Sequence, residues 1–536
     1  MQLLKVSFLF FCLVILTQTS IQAQSDRETA ETEFQKFGGI LDIIDNFYVD
    51  SVNTAELIDK AIVSTLENLD PHSVYIPKKE VDATNEPLVG NFEGVGIQFN
   101  IISDTIIIAN VIPGGPSEKV GLHPGDKIIY VNDTLVAGVK IANSGVMSKL
   151  RGAKNTKVKV SILRKGEKKI IDFVITRDKI PLYSVDASYM VDSKIGYIKL
   201  TKFSATTVDE VHAAIEKLQA KGMKDLILDL EDNGGGYLNA AVGVSDEFLD
   251  KDKLIVYTQG LHQSRQSFSA GNKGLFEEGN LIVLINENSA SASEIVTGAL
   301  QDWDRALVVG RNSFGKGLVQ KPFPLMDGSQ IRLTIAQYFT PSGRCIQRPY
   351  DKGKKDYYSE FEKRYTSGRL MYMDSIKLPD SLRYTTLTNN RYVYGGGGIL
   401  PDIFTGIDTS ETSEYFSNLI RKGVMNTFVL KYLDDNRKTL LEKYPTFEAY
   451  KNNFVIDKTI TDALIKAGEA DSIKFDALQY KKSERILKIN LKALIARSTY
   501  DASDFYPIIN DLNNTYTKAV KVLQEGKMKD FKVVHY

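Results

Sequence analysis

Residues 194–341 alternate short, nearly continuous apolar segments with longer segments of helical periodicity. Strands without polar alternation are typical of sheets that are buried on both faces by helices. The predicted strands are 195–200, 226–230, 281–285 and 306–309, and the predicted helices are 208–221, 238–249 and 292–302. This part of the chain is therefore expected to be an α/β domain with buried strands.

The parts of the chain on either side follow other patterns. Residues 26–69 and the chain beyond residue 402 place apolar residues at helical spacing. Residues 94–101 alternate apolar and polar side chains, and 105–109 continue the alternation after a turn. We expect helical regions at both ends and a β-rich domain before the α/β domain.

The composition excludes several classes of protein. Of 536 residues, 67 are Lys or Arg and 67 are Asp or Glu, and this zero net charge argues against nucleic-acid binding, which requires a basic surface. With 43% hydrophobic and 25% charged residues, the chain is ordinary globular protein rather than mainly disordered. Its cysteines, Cys12 and Cys345, and its scattered histidines lack ligand-like spacing, so we expect neither a metal site nor a cofactor.

The first residues have the order of a secretory signal peptide. Lys5 precedes an apolar run over 6–16, and polar and small residues follow as far as Ala23. The run is shorter than the roughly 20 apolar residues that span a bilayer, so an uncleaved anchor is the less favoured alternative. We expect residues 1–23 to be removed and the mature chain to be exported to the periplasm or beyond.

A serine-rich segment, 289–293, lies where a predicted strand gives way to a predicted helix. A serine at a helix N-terminus has its hydroxyl near unpaired N–H donors and the positive end of the helix dipole, which stabilise a developing oxyanion. The alternative is that one serine only caps the helix, with Glu294 completing the first turn. A nucleophilic serine also requires a base.

No histidine occupies the conspicuous loops of the α/β domain, so a lysine is considered as the base. Lys316 is the candidate, because its flanking glycines allow close backbone approach and its apolar neighbours favour the neutral amine. Gln320 is expected on the same face, where it would orient the amine. The alternative for Lys316 is a solvated lysine in a glycine turn.

A P-loop is a second alternative for this segment. Residues 310–316 fit the first positions of the pattern G-x-x-x-x-G-K and follow a predicted strand. Gly317 stands where magnesium binding requires Ser or Thr, and prolines follow soon after. Nucleotide binding is therefore disfavoured.

A third element, 229–238, is a strand that leads into three glycines and then a helix. The N–H groups of such a turn bind an anion, as an oxyanion hole requires. Without further support, a glycine turn is weak evidence of a site.

Residues 88–178 resemble a PDZ domain, on the strength of the run Gly-Leu-His-Pro-Gly-Asp-Lys-Ile-Ile-Tyr-Val-Asn at 121–132. In that family a loop before the first strand binds a C-terminal carboxylate on its N–H groups, and the peptide adds as an extra strand. The resemblance assigns this role to the loop residues Gly94, Val95, Gly96 and Ile97. The alternative is that these glycines only make tight turns.

Three motifs together resemble the carboxyl-terminal processing peptidases, also called tail-specific proteases. They are Ser-Ala-Ser-Ala-Ser-Glu-Ile at 289–295, Phe-Gly-Lys-Gly-x-x-Gln at 314–320 and Asp-Leu-x-x-Asn-x-Gly-Gly at 229–236. The resemblance covers roughly 35–408 and implies a crotonase- or Clp-protease-like α/β peptidase core. The site it implies consists of the nucleophile Ser291, the base Lys316, the orienting Gln320, the oxyanion-hole residues Ala292 and Gly235 or Gly236, and the supporting Asp302.

Three positions depart from the family pattern. Glu231 and Gly234 stand where the family has arginine and proline, so we expect a looser turn and an absent or reversed ion pair. Cys345 replaces a serine, and we expect a small buried residue rather than a nucleophile.

The chain is thus divided into a signal peptide (1–23), an N-terminal helical region (24–87), a PDZ domain (88–178), a peptidase core (179–408) and a C-terminal helical domain (409–536). The expected function is a serine endopeptidase that cleaves exported proteins near their C-termini after the PDZ domain captures an apolar tail. The alternative is an inactive PDZ adaptor or chaperone. The helices of 26–69 and those beyond residue 409 are candidate surfaces for a homodimer, and the alternative is that they pack on their own domain. Peripheral association with a membrane is a further candidate property.

Overall fold

The computed structural model describes residues 31–271, 273–376 and 378–529, so the predicted signal peptide lies outside the described residues. The described residues up to Tyr75 form one compact unit, and those from Ile76 onward form another. In the first unit residues 31–47 and Thr54–Glu67 are helical, and the side chain of Asn53 caps the second helix. Within the described ranges, no helix is long and apolar enough to cross a membrane.

The β-rich domain is an antiparallel sheet with two helices. Its strands are Ile97–Ile102, Thr105–Val111, Lys127–Val131, Thr134–Leu135, Lys157–Leu163 and Ile171–Thr176, and its helices are Pro116–Lys119 and Asn143–Leu150. The strand Ile97–Ile102 lies at the edge of the sheet. A separate ribbon, in which Asn91–Gly94 pairs with Asp178–Pro181, joins the entry and the exit of the domain.

The peptidase core is built on a six-stranded sheet. In spatial order the strands are Val185–Met190, Ile195–Leu200, Asp225–Asp229, Leu281–Ile285, Leu307–Gly310 and Ile403–Phe404. The first pair is antiparallel and the other pairs are parallel. The structure contains every strand predicted in this region.

Successive side chains of a strand point to opposite faces of the sheet, so apolar strands need both faces covered. Helices cover both faces of this sheet. Leu228 and Val283 belong to a cluster packed under the helices Thr207–Ala220, Leu238–Asp246 and Ala292–Asp302. Their neighbours Ile227 and Leu284 belong to a second cluster, packed under the helix Asn514–Gln524. The helix predicted over 238–249 ends at Asp246, because the N–H of Phe248 bonds the carbonyl of Ser245 in a tighter turn.

A second, antiparallel sheet contains the strands Leu254–Gly260, Gln263–Ser269, Leu318–Pro324 and Gln330–Phe339. A bulge interrupts the register of its strand Leu318–Pro324 between Val319 and Gln320. The remaining described elements before residue 405 are the strand Val74–Ile76, the helices Lys78–Val89 and Lys354–Thr366, the 3-10 turns Met373–Ser375 and Asp380–Leu382, and the paired strands Arg383–Thr385 and Tyr392–Tyr394.

The C-terminal region is helical, as predicted. Its helices are Glu414–Arg421, Val424–Lys443, Phe447–Asn453, Lys458–Ala470, Ala477–Thr499, Tyr506–Ile509 and Asn514–Gln524, with 3-10 turns at Ala502–Phe505, Asn510–Leu512 and Lys527–Lys529. Most of these helices share a core of their own around Leu487, Leu491 and Tyr450, each of which is 0% exposed. The helix Asn514–Gln524 instead packs on the peptidase sheet.

Candidate active site

Three loops that carry the predicted site residues follow three neighbouring parallel strands, Asp225–Asp229, Leu281–Ile285 and Leu307–Gly310. The carboxyl ends of parallel strands meet at one edge of a sheet, where α/β proteins bind their ligands. The glycine turn, Ser291 and the loop of Lys316 are therefore brought to the same edge.

Ser291 is the last residue before the helix Ala292–Asp302 and has an unusual backbone. Its φ of 57° and ψ of −113° are rarely adopted by a residue other than glycine. Such strain persists only where the surroundings impose it, and it is concentrated at functional sites. The N–H of Ser291 donates to Oε2 of Glu294 at 2.8 Å, which is the capping contact considered as the alternative. Ser291 therefore terminates the helix and lies at the sheet edge that carries the other site residues.

The carboxylate of Glu294 joins the segments of Ser291 and Lys316. Its Oε2 accepts the N–H groups of both residues, at 2.8 and 2.9 Å. Its Oε1 accepts the N–H of Gly315 at 2.7 Å and the hydroxyl of Ser313 at 2.5 Å. Burial raises the pKa of Glu294, and these hydrogen bonds oppose the rise. Four donors meet two oxygens, so the ionised form satisfies the site best.

Tyr338 joins the same two residues through their carbonyl groups. Its hydroxyl lies 3.1 Å from the carbonyl oxygen of Ser291 and 2.5 Å from that of Lys316. The side chain comes from the second sheet and is 1% exposed. Glu294 and Tyr338 therefore hold the backbone of Ser291 and Lys316 on both its N–H and its carbonyl side.

Further contacts fix the loop of Lys316. The N–H of Phe314 donates to the carbonyl of Ser289 at 2.9 Å, and the N–H of Gly317 donates to Oε1 of Gln347 at 2.8 Å. Within the described residues the loop leads into the strand Leu318–Pro324 and not into a helix. A P-loop needs a helix N-terminus for its phosphates, so the nucleotide interpretation has no structural basis here.

Gln320 lies in the strand Leu318–Pro324, and its Nε2 donates to Oγ1 of Thr334 at 3.2 Å. The expectation that it shares a face with Lys316 assumed a regular element. Lys316 precedes the strand, and the bulge after Val319 changes the alternation. The side chain of Gln320 is therefore positioned by the second sheet.

The glycine turn is held by amide side chains. Nδ2 of Asn233 donates to the carbonyl of Leu200, and its Oδ1 accepts the N–H of Gly235, both at 2.9 Å. The carboxylate of Asp232 accepts Nδ2 of Asn286 and of Asn288 at 2.9 and 2.8 Å. We expected a looser turn because Gly234 replaces a proline, and these contacts supply the missing restraint.

Gly235 and Gly236 approach their neighbours too closely for a side chain. A Cβ on Gly235 would lie 2.9 Å from the nitrogen of Ala292, and one on Gly236 would lie 2.0 Å from the carbonyl oxygen of Phe203. The N–H of Gly235 is engaged by Asn233. The N–H groups of Gly236 and Ala292 have no protein acceptor among the described residues. These two donors remain available to a bound molecule.

Glu231 precedes the turn and is 6% exposed. Its Oε2 accepts Nδ2 of Asn513, from the C-terminal region, at 2.6 Å. Its carbonyl accepts Nζ of Lys199 at 2.6 Å, and that amine also pairs with Asp229 at 2.8 Å. A carboxyl group thus stands where the family pattern has an arginine, and its side chain bonds a neutral amide.

Asp302 ends the helix that Ser291 begins. Asp302 and Arg344 are both 0% exposed and form an ion pair at 2.7 Å, and Asp302 also accepts the N–H of Ser342 at 2.9 Å. Next to this pair, burial raises the pKa of the Cys345 thiol. A raised thiol pKa disfavours the nucleophilic thiolate.

The predicted tail-binding loop turns its carbonyl groups inward. The carbonyl of Val95 accepts the N–H and the hydroxyl of Ser117 at 3.1 and 2.6 Å, and that of Gly96 accepts the N–H of Ile112 at 3.0 Å. Within the described part of the chain, the N–H groups of Val95 and Gly96 have no protein acceptor. Among the described strands, the adjoining strand Ile97–Ile102 pairs along one edge and leaves the other unpaired, as strand addition requires.

Some residues of the site were not singled out from the sequence. Glu294 was noted only as a helix-capping residue, and Asn233 only as part of a motif. Tyr338 and Asn513 were not noted, since they lie 47 residues and more from Ser291 and no local pattern relates them to it.

Family models match several parts of the chain. Peptidase family S41 matches residues 194–354, the PDZ domain 94–174, the activating protease CtpB N-terminal domain 14–80, and a family of unknown function, DUF8443, 415–501.

Among characterised proteins, the carboxy-terminal processing protease CtpA of Bacillus subtilis (strain 168) is 35% identical over 366 residues, which cover 66% of this chain and 78% of that protein. CtpB of the same strain is 32% identical over 454 residues, 82% of this chain and 88% of that protein. The solved photosystem II D1 C-terminal processing protease is 27% identical, covers 58% of this chain and 89% of that one, and superposes with a TM-score of 0.34.

The core fold and the matched models define a serine-type peptidase with a PDZ domain and helical regions at both ends, which confirms the expected class and fold. More narrowly, the chain belongs to the carboxy-terminal processing proteases of peptidase family S41.

Proposed function

We propose that the chain cleaves exported proteins near their C-termini with Ser291 as nucleophile and Lys316 as general base. The observation that carries this proposal is the convergence of both residues on Glu294 and Tyr338. Family membership supplies the reaction class, and the two shared contacts supply a reason why these two residues act together. A catalytic pair held by the same buried groups keeps one relative position.

The reaction proceeds in two halves. Oγ of Ser291 attacks the scissile carbonyl carbon while neutral Lys316 accepts the hydroxyl proton, and the lysine ammonium then protonates the departing amine. Water next attacks the ester of Ser291 and gives a proton to the lysine. Collapse of this second intermediate breaks the ester bond, returns the proton from the lysine to Oγ of Ser291 and releases the new carboxylic acid, which gives its proton to solvent and becomes a carboxylate.

The oxyanion of each tetrahedral intermediate is bound by the N–H groups of Ala292 and Gly236. Of the two glycines considered, Gly236 is favoured because the N–H of Gly235 already bonds Asn233. The donor on Ala292 also lies at the positive end of a helix. Donors fixed before the reaction stabilise the developing charge without reorganisation.

The PDZ domain captures the substrate tail on Gly94, Val95, Gly96 and Ile97. The unengaged N–H groups of Val95 and Gly96 support a carboxylate site, and the edge strand Ile97–Ile102 supports an extended peptide beside it. An apolar tail is proposed because Ile97 and Phe99 of the edge strand are apolar and only partly buried.

The predicted leader supports export to the periplasm as the cellular setting. The helix 31–47 exposes Phe34 to 78% and Phe47 to 82%, which supports a homodimer through this apolar surface. Sedimentation of the chain without residues 1–23, and of its double variant Phe34→Glu/Phe47→Glu, tests that dimer. The double variant would sediment as a monomer. Equal sedimentation of both chains as monomers would remove the dimer from the proposal.

The main test uses the chain without residues 1–23, mixed with a folded reporter that carries an apolar or an acidic C-terminal tail. Ser291→Ala and Lys316→Ala are expected to abolish cleavage of the apolar-tailed reporter. The exposed Ser267→Ala and Lys321→Ala are matched controls and should cleave at the wild-type rate. Wild-type activity retained by Lys316→Ala would exclude this base. Tail binding without cleavage by the wild type would favour the adaptor alternative.

Amidation of the reporter tail tests carboxylate capture without changing the enzyme. A carboxamide has no anionic oxygens for the N–H groups of Val95 and Gly96, so the KM for the apolar-tailed reporter is expected to rise about tenfold or more. An unchanged KM would show that the terminal carboxylate is not recognised.

A further inference from the structure

The segment around Asn513 connects the C-terminal region to the back of the peptidase sheet. Oδ1 of Asn513 accepts the N–H groups of Thr515 and Tyr516 and so caps the helix Asn514–Gln524. The ring of Tyr516 packs edge-on against that of Tyr197 in the sheet, at 5.4 Å between centroids. The side chain of Asn513 thus has its acceptor fixed by its own helix, which directs its Nδ2 to Glu231.

Glu231 is fixed through every polar group it has. Its N–H donates to Oδ1 of Asp229 at 2.8 Å, its carbonyl accepts Nζ of Lys199, and its carboxylate accepts Asn513. The next residue, Asp232, has a φ of 60° and begins the glycine turn. Because the glycine turn follows Glu231 directly, the backbone position of Glu231 fixes the position of the first residue of the turn.

We propose that Asn513 is a positioning residue, which acts through Glu231 to hold the glycine turn and its Gly236 donor in line with Ser291. This inference rests on the proposed function, because it assigns Gly236 to the oxyanion. It makes the helix Asn514–Gln524 part of the catalytic apparatus, although no atom of that helix is assigned contact with substrate.

The charges that face Glu231 come from three elements. Asp229 and Lys199 belong to the sheet, and Arg311, which pairs with Glu287, follows the strand Leu307–Gly310. Asn513 contributes a neutral donor. At about pH 9, where Glu231 is ionised, a carboxylate placed at position 513 would face the carboxylate of Glu231 and remove the hydrogen bond between them.

Asn513→Asp isolates this contact, since aspartate caps a helix as well as asparagine does. Measured at about pH 9, its kcat on the apolar-tailed reporter is expected to fall about tenfold, with KM within about twofold of wild type, because only the transition state uses the oxyanion donors. Asn514→Asp is the matched control. It places the same charge in the same helix and removes the bond of Asn514 to the carbonyl of Gly406, away from Glu231.

The double variant Asn513→Asp/Glu231→Gln restores the hydrogen bond in the opposite direction, from the glutamine amide to the aspartate. Recovery of kcat to within about threefold of wild type is expected, since donor and acceptor have exchanged places. A kcat for Asn513→Asp equal to that of Asn514→Asp would overturn the proposal. So would the absence of recovery in a double variant whose melting temperature matches wild type.

Amide hydrogen exchange of residues 232–236 reports on the same contact without catalysis. Faster exchange in Asn513→Asp than in Asn514→Asp supports the link, and equal exchange contradicts it. If the wild-type chain, measured beside Ser291→Ala, fails to cleave any reporter, the proposed function fails on that result, while the exchange result still decides whether Asn513 holds the turn.

Discussion

The carbonyl groups of the two proposed catalytic residues both lie within hydrogen-bond distance of one buried hydroxyl, that of Tyr338. Tyr338→Phe removes it and leaves the carbonyls of Ser291 and Lys316 without this donor. We expect a fall in kcat of about tenfold, because the backbone of both residues gains freedom. The rate is measured at saturating reporter.

Tyr450→Phe is the matched control for that variant. Tyr450 is also buried, and its hydroxyl donates to the carbonyl of Lys492 at 2.9 Å in the C-terminal helical core. Both variants should lose a similar amount of stability, about 1–2 kcal/mol, and only Tyr338→Phe should lose kcat. Parallel losses of kcat in the two variants would contradict a positioning role for Tyr338.

Glu231 makes stability depend on pH. Burial, followed by the charge of Asp229, raises the pKa of Glu231 from its ordinary value of 4.5 to about 7. Because the folded state holds this proton more tightly than the unfolded state, the stabilisation is complete below 4.5 and is lost as pH rises through about 7. Glu231→Gln abolishes this loss.

The melting temperature of Glu231→Gln should therefore exceed that of wild type by about 2–5 °C at about pH 8 and match it near pH 4.5. Glu442→Gln, at an exposed glutamate, is the control and should match wild type at both pH values. A difference that is independent of pH would contradict this assignment to Glu231.

The sequence was informative about residues wherever local chemistry is distinctive. Glycine, serine and lysine motifs indicated Ser291 and Lys316, and a helix start indicated Glu294. The capping role explained Glu294 so completely that its contact with Lys316, 22 residues away, could not be foreseen. Asn513 gave no signal, because its partner is 282 residues distant and is chosen by tertiary packing.

Among the elements, the helix Ala292–Asp302 has a charged anchor at the end opposite Ser291. Asp302→Asn leaves the fully buried guanidinium of Arg344 without its counter-charge. We expect a loss of about 3–5 kcal/mol in the free energy of unfolding, measured in urea. Asp380→Asn, which removes the exposed partner of Arg383, is the control and should change stability little. Equal effects of the two changes would show that the buried pair contributes no more than a surface pair.

Helices and strands were predictable where burial imposes a period. The unbroken apolar strands of the central sheet were recognised because both of their faces are covered. Periodicity shows that a helix has a buried face and does not show what buries it. For that reason the helix Asn514–Gln524 was assigned to the C-terminal helical domain, whereas it packs on the peptidase sheet.

Across the whole molecule, the PDZ domain meets the C-terminal helices around a cavity of about 630 Å³. Nζ of Lys165 crosses this contact to Oδ1 of Asp435 at 2.5 Å, and both side chains are more than half exposed. Exposed pairs contribute little and are screened by salt. A weak contact of this kind is compatible with the proposed function, in which the PDZ domain would move to deliver a bound tail.

Lys165→Ala should accordingly leave the melting temperature within about 2 °C of wild type. Its loss of unfolding free energy should be much smaller than that of Asp302→Asn. Differential scanning fluorimetry at low salt, where screening is weakest, is the appropriate measurement. A large loss of stability at low salt would mean that the PDZ domain is locked to the C-terminal helices by this pair.

The packing of Asn514–Gln524 on the sheet has a consequence for biosynthesis. Thr515 bonds Thr405 at 2.8 Å although the two residues are 110 positions apart, so the ribosome makes the sheet well before it makes the helix that covers it. Until residues 513–524 emerge, this side of the sheet lacks that helix and Glu231 lacks Asn513. A nascent or truncated chain without these residues would thus carry the serine and the lysine without the proposed Gly236 donor held in place, and the proposed activity would begin only after they have packed on the sheet.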